Sequence, residues 1–317
     1  MKTLSIVLPT YNSSKFIERT LDCLLGQTYT ALELIVIDDG SEDNTVEKIE
    51  SYKATDRRIK SVVLEENRGP GHARNLGIQK STGHYLTFFD HDDHQERNRY
   101  ERMIRLMEKH QSEVCFSCAK EIGKNGKTKL LNENAIPEGP LTLPKDIHTP
   151  AIKRSIPPWS KIYLSEFVKR EGLLFAEGAV HFDDVLFHSL LLVSMRSASI
   201  YPESCYTHIR NSESITDTVN IDKHREDVLY SFRACLNHPV CQGVDSLLSR
   251  RRYHVTDYYY EHLRRHLDID NKLDFIDRNA FGREYKLLNR MRLKTVIKEG
   301  LTRRLNYLKS VLKSENI

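Results

Sequence analysis

Three carboxylates fall within four residues, at Asp90, Asp92 and Asp93, with His91 and His94 beside them. Like charges this close repel unless a cation or hydrogen-bond donors hold them. Hard divalent cations take oxygen ligands, commonly one or two carboxylates completed by substrate phosphates. A cation site is therefore one reading of the cluster. The other is an acidic loop that caps the next helix, expected from about Glu96. A second acidic pair, Asp183-Asp184, stands where a strongly apolar helix over 185–195 should begin. One Asp at a helix start commonly serves as a cap, and two in succession leave one for other work. A third pair, Asp38-Asp39, precedes Gly40-Ser41.

The elements between these acids explain how they could meet. Residues 4–8 form an apolar strand ending in Pro9-Thr10-Tyr11-Asn12, and Pro9 lacks the N–H a ladder needs. A helix is expected over 14–25, with Phe16, Ile17, Leu21, Leu24 and Leu25 on one face. Buried runs at 32–37, 59–64 and 85–89 predict three more strands. Helices are expected from Asp43 or Asn44 to about 52, around Arg74-Asn75, and over 96–110. Strands alternating with helices predict a mostly parallel α/β sheet covered on both sides. Ligands of such sheets sit beyond the carboxyl ends of the strands. Thr10, Tyr11, Asp38, Asp39 and the cluster from Asp90 to Asp93 all stand at such ends.

Farther along, 114–119 reads as a fifth strand, and Lys124-Asn125-Gly126-Lys127 as a hairpin tip suited to a type I′ turn. Residues 133–158 hold six prolines and predict a loop of the kind that selects substrate. Trp159, the only tryptophan, reads as core or, after a proline-rich loop, as a stacking platform for a sugar ring. An extended segment is expected over 199–209. From Asp222 the pattern turns helical and polar. Between Glu284 and Lys313 nine Lys or Arg face two Glu, a charge of +7, so the rest carries 4 − 7 = −3. Leu301, Leu305, Leu308 and Leu312 give that tail an amphipathic face for an anionic membrane surface, the body or a partner.

Composition excludes several classes. At 39% hydrophobic and 29% charged the chain reads as globular, and no apolar run has the length to span a bilayer. The N-terminus reads as a first strand rather than a signal peptide. Six scattered cysteines suit a reducing cytoplasm, and Cys115-x-x-Cys118 has no second pair for zinc. The turn after the first strand lacks the glycines of a dinucleotide fold. Arg250-Arg251-Arg252-Tyr253 stands without any nucleic-acid motif, so no nucleic-acid partner is expected.

Five segments in order resemble the family 2 glycosyltransferases, which have the GT-A fold. They are Ser5-Ile6-Val7-Leu8-Pro9-Thr10-Tyr11-Asn12, Glu33-Leu34-Ile35-Val36-Ile37-Asp38-Asp39-Gly40-Ser41, Asn67-Arg68-Gly69, Ala73-Arg74-Asn75-Leu76-Gly77-Ile78, and Gly83 through Asp93, with Gln27-Thr28-Tyr29 between the first two. The resemblance is close over the first 110 residues and looser to about Ser214. It implies a catalytic domain over 1–218, with a nucleotide-binding part (1–110) and an acceptor part (111–218). A helical extension over 219–317 would follow.

The resemblance further implies a nucleotide-sugar donor, usually a UDP-sugar, and an inverting transfer to a hydroxyl of a glycan or lipid-linked saccharide. Pro9, Thr10 and Tyr11 would lie at the nucleotide, Asp39 on uracil and Arg74 nearby. Asp90-His91-Asp92 matches the D-x-D, with Asp90 toward ribose and Asp92 on a divalent metal, Mn²⁺ or Mg²⁺, where Asp93 and His208 would join. Asp183-Asp184 replaces the family's later Glu-Asp pair and would supply the base, Asp184 being the choice. Arg210 would meet phosphate. The protein would work in the cytoplasm, with the tail in peripheral contact with the membrane. A nucleotidyltransferase of related fold, or a non-catalytic sugar-nucleotide-binding scaffold, would also use such acids.

Overall fold

Every residue from Leu4 to Thr10 is buried, and together they make the central strand β1 (Leu4–Thr10). Its neighbours are β2 (Leu32–Asp38), with Leu4 opposite Leu32, and β4 (Tyr85–Phe88), with Leu4 opposite Tyr85, both parallel. The strand β3 (Ile59–Val63) continues the parallel sheet beyond β2. Burial on both faces accounts for near-continuous apolar runs in place of alternation. Between these strands run α1 (Ile17–Leu25), α2 (Thr45–Lys53) and α3 (Pro70–Lys80). Gly77 lets α3 lie against β1, since a Cβ there would come within 2.2 Å of Val7 Cγ1.

The chain continues through β5 (His94–Gln95), α4 (Arg99–His110), β6 (Val114–Ile122), β7 (Thr128–Leu131) and β8 (Gly139–Leu141). A 3₁₀ turn (Pro158–Ser160) leads into β9 (Lys161–Leu164), α5 (Ser165–Arg170), α6 (Asp183–Ser194) and β10 (Ala198–Ile209). This computed structural model describes residues 1–131, 139–141, 157–179 and 183–210, with isolated positions between 227 and 239. All belong to the first of two compact units, Met1–Gln242 and Gly243–Ile317. Most of the expected proline-rich loop, the 218/219 boundary and the basic tail lie outside the described residues. Among the described residues no helix is long and apolar enough to cross a membrane.

The strand order is β3-β2-β1-β4-β9-β6-β10-β5, with β7 on β6 and β8 on β10. The parallel expectation holds from β3 to β4. Beyond β4 the sheet is mixed, because β9 runs antiparallel to both β4 and β6. One face is filled by α1 and α4 through Ile17, Leu21, Leu24, Tyr100, Met103 and Met107. On the other face Phe187 of α6 meets Phe88 (5.6 Å), Tyr163 (5.5 Å) and Phe175 (4.5 Å). That aromatic cluster seats α6 on the sheet and brings its first residues to the rim where β4 ends.

Two expected boundaries and one turn type differ for identifiable reasons. The helix expected from Glu96 starts at Arg99, because His94 and Gln95 pair with Thr207 and Tyr206 of β10 instead. The first helix starts at Ile17, since the Ser13 and Ser14 amides are bound by Thr45 Oγ1 (2.7 Å) and Asp43 Oδ2 (3.1 Å). The β6–β7 tip is not type I′. Only Gly126 has positive φ (72°), and Gly126 N bonds Gly123 O while Gly123 N bonds Lys127 O. A three-residue loop with glycine in the left-handed position results.

Candidate active site

The acidic cluster follows β4 and is pinned from two sides. From α1, Thr20 Oγ1 donates to the His91 carbonyl (2.5 Å) and Arg19 Nη2 to the Asp92 carbonyl (2.8 Å). From β10, Tyr206 Oη donates to Asp93 Oδ2 (2.6 Å) and the Ile209 amide to Asp93 Oδ1 (2.9 Å). His208 Nδ1 lies 3.1 Å from the same Oδ1. Asp93 is 1% exposed, so its carboxylate braces the loop from within. Burial alone would lower the His208 pKa, but Asp93, then Asp90 and Asp92, outweigh it and raise it to about 9. The capping alternative does not hold, because the residue before α4 is Asn98.

The residues expected at the nucleotide form a second tier. Pro9 and Thr10 are buried at the end of β1, and Thr10 Oγ1 donates to Asp38 Oδ2 (3.0 Å). Asp38 also takes the Ser41 amide (2.9 Å) and hydroxyl (2.6 Å). Asp39 accepts from the Arg68 and Gly69 amides at 2.9 and 2.8 Å. Burial pushes its pKa up against those two bonds. Tyr11 is 41% exposed and presents an open ring at the same rim. Arg210 caps the far side of β10 and bonds Glu121 through Nε (3.1 Å).

Arg74 joins the cluster to the second acidic pair. Its Nη2 donates to Asp90 Oδ1 (2.9 Å) and its Nη1 to Asp183 Oδ2 (2.6 Å). Asp183 is 109 positions away in sequence and is therefore held at the rim by tertiary structure alone. Asp184, the next residue, makes no side-chain hydrogen bond among the described residues. Burial and the Asp183 charge push Asp184 up to about 7, against the pull of Arg74 and Lys161. A carboxylate poised there is matched to proton abstraction near neutral pH.

Lys161 is absent from the sequence reading, yet it belongs to this site. It is 0% exposed, with Nζ on the Pro157 carbonyl (2.8 Å) and Ser160 Oγ (3.1 Å). Burial lowers its pKa to about 7 even though Asp184 favours the charged form. A lysine inside the apolar run 160–164 was the available signal, since an ammonium is rarely buried without a carboxylate nearby. Arg99, equally buried, spans Gln95 Oε1 (2.7 Å) and the Trp159 carbonyl (2.5 Å) beneath the cluster. Trp159 is core: it is 5% exposed and stacks on Tyr206 at 4.2 Å and 5°. Its ring is not available to a sugar. The Cys115-x-x-Cys118 pair lies on β6 three positions apart, so its side chains point to opposite faces. Among the described residues all cysteines are free thiols.

A family model for glycosyl transferase family 2 matches residues 5–165. A glycosyltransferase of Haemophilus influenzae is 37% identical over 107 residues, 34% of this chain and 43% of its own. The poly(ribitol-phosphate) beta-N-acetylglucosaminyltransferase TarS of Staphylococcus aureus is 27% identical over 216 residues, 67% of this chain and 36% of its own. The chain thus spans less than half the length of either relative. The crystal structure of TarS 1–349 with UDP-GlcNAc superposes with a TM-score of 0.71 at 24% identity, covering 88% of this chain and 78% of that one. That likeness shows a shared GT-A fold. The family model takes in 161 of 317 residues, and the chain belongs to glycosyl transferase family 2.

Proposed function

We propose that this chain transfers a sugar from a UDP-sugar to a hydroxyl of a glycan or lipid-linked saccharide, with inversion, and that Asp184 is the base. The observation that carries this reading is the split between adjacent acids: Asp183 is engaged by Arg74, while the Asp184 side chain has no hydrogen bond among the described residues. A sugar hydroxyl is a poor nucleophile, and a positioned carboxylate taking its proton contributes ~10²–10⁴ in rate. Asp183 is tied down and so is not free to act as a second, covalent nucleophile. One available carboxylate on the acceptor side suits a single displacement, which inverts the anomeric centre.

The donor set favours a divalent cation, Mn²⁺ or Mg²⁺. With Nδ1 of His208 on Asp93, its Nε2 is left for a ligand, the carboxylate–imidazole arrangement common behind metal-bound histidines. Among the described residues no three His, Cys, Asp or Glu side chains form a complete cage. Asp92 and His208 would therefore hold the ion together with diphosphate oxygens, as hard cations with few protein ligands do. Asp93, expected as a ligand, would serve behind His208. When bound, the ion supplies charge neutralisation at the leaving diphosphate. Tyr11 offers an aromatic face for the base, and Asp39 and Asp90 stand at the same rim for uracil and ribose.

The test is release of UDP from a panel of UDP-sugars with Mn²⁺, starting with UDP-GlcNAc because TarS has been crystallised with it. One or more donors should be turned over. UDP binding with no donor consumed, with or without saccharide acceptors, would leave a scaffold and sink the transferase reading.

A further inference from the structure

Along its length, α3 forms a seam with the segment that leads into α6. At Gly71 a Cβ would come 2.8 Å from the Ala176 carbonyl and 3.3 Å from Asp183 Cβ, so only glycine lets the two backbones approach. His72 Nδ1 lies 3.1 Å from Glu177 Oε2. Asn75 Nδ2 donates to the Phe175 carbonyl (3.0 Å) and Glu177 Oε1 (2.8 Å), while its Oδ1 accepts the Phe175 amide (2.8 Å). Arg74 completes the seam on Asp183 and carries it across to Asp90. Its guanidinium face lies over the Phe175 ring at 5.4 Å.

We propose that Arg74 is a positioning residue and not a nucleotide ligand: clamped between Asp90 and Asp183, it sets the placement of the base Asp184 relative to the donor site. The inference rests on the transferase reading above and names how that site is held in register. Both terminal nitrogens are on carboxylates, one face is covered by Phe175, and the side chain is 10% exposed. Its Nε is buried with no acceptor among the described residues. A diphosphate reaching Arg74 would have to displace either Asp90 or the buried Asp183, and losing the latter leaves its charge uncompensated, which is strongly unfavourable. The planar fork of Arg holds two carboxylates at fixed spacing, which a lysine would not do. Misplacement of a reacting group by about 1 Å costs about 100-fold in rate. The structure thus gives Arg74 a lever on turnover that does not pass through donor affinity.

The test compares wild type, Arg74→Met, Asp183→Asn and the double variant. UDP affinity is measured by calorimetry with Mn²⁺, turnover by UDP release, and local order by hydrogen exchange of peptides covering 173–190. Each single variant should lose about 100-fold in kcat, with UDP affinity kept within a factor of about 3, and the double should be no worse than either single. Exchange at 173–190 should quicken in both singles, whether or not a sugar donor is known. Asp183→Asn, nearly isosteric, keeps the test open if Arg74→Met folds poorly. A loss of UDP affinity of about tenfold or more in Arg74→Met but not in Asp183→Asn would make Arg74 a nucleotide ligand and overturn the proposal. Unchanged exchange would overturn it too, and would leave the transferase reading intact. A wild type that turns over no donor counts against that reading and not against the bridge.

Discussion

Two carboxylates, Glu33 buried and Asp184 half-buried, sit at opposite rims of the same sheet and have been treated in opposite ways. Glu33, at the start of β2, accepts from Ser5 Oγ (2.5 Å), Lys60 Nζ (2.5 Å), and the Thr82 amide (2.7 Å) and hydroxyl (2.8 Å). Burial would raise its pKa, but those donors bring it down to about 2. Asp184, at the rim where the parallel strands end, has burial and the Asp183 charge pushing it up to about 7. Saturation with donors holds a carboxylate ionised, and withholding them raises its pKa toward the range a base at neutral pH would need. A cavity of about 610 Å³ opens beside Glu33, yet four of its five charged lining residues pair with one another, Glu33 with Lys60 and Asp56 with Arg58.

The sharpest way to break this contrast is Asp184→Asn. Turnover should fall by ~10²–10⁴ while UDP affinity, read by calorimetry, stays put. Equal turnover in the variant would remove Asp184 from the base role. Chelation comes next: EDTA should abolish UDP release and added Mn²⁺ restore it, with the unfolding midpoint of the ligand-free protein unmoved. Activity that persists in EDTA would mean that Asp92 and His208 hold no essential ion.

At the other rim, Glu33→Gln should cost about 2 kcal/mol in urea unfolding and leave turnover alone, discounting the full shift because Lys60 is half exposed. The sign follows from linkage. The Glu33 pKa is depressed on folding, so its contribution is present above about 4.5 and disappears as pH falls through about 2. A midpoint that does not move would show the donors around Glu33 to be ornamental.

The smallest effect concerns Lys161. Turnover should rise with pH through about 7 as Asp184 ionises. Lys161→Met removes a cation that favours the ionised form, so that limb should move alkaline by about 1 unit. An unmoved limb would mean that Lys161 supports the fold without tuning the base.

The rim formed by the ends of β1, β2 and β4 was readable in the sequence. Thr10, Tyr11, Asp39 and Asp90 stand at the ends of apolar runs, and a parallel sheet gathers such ends on one rim. The part of the sheet beyond β4 was not. Its antiparallel β9 is four residues long and enters after a segment of weak periodicity, so neither its direction nor its place between β4 and β6 is written locally. Trp159 illustrates the same limit: a proline-rich approach says nothing about whether a ring will face solvent or stack on Tyr206, which lies far along the chain.

By itself, then, the sequence determined the order of strands and helices through β4, the rim on which the first acids lie, and the family. Hydropathy and turn chemistry between near neighbours carry that much. Only the tertiary structure decided that Asp183 is bound and Asp184 open, that Asp93 is saturated, and that Lys161 is buried near Asp184. Each of those outcomes depends on a partner brought from a distant part of the chain, 109 positions for Arg74 and Asp183 and 116 for the amide that bonds Asp93. The protonation of a carboxylate is set by the charges and donors packed around it, and those are chosen by the fold rather than by its neighbours in sequence.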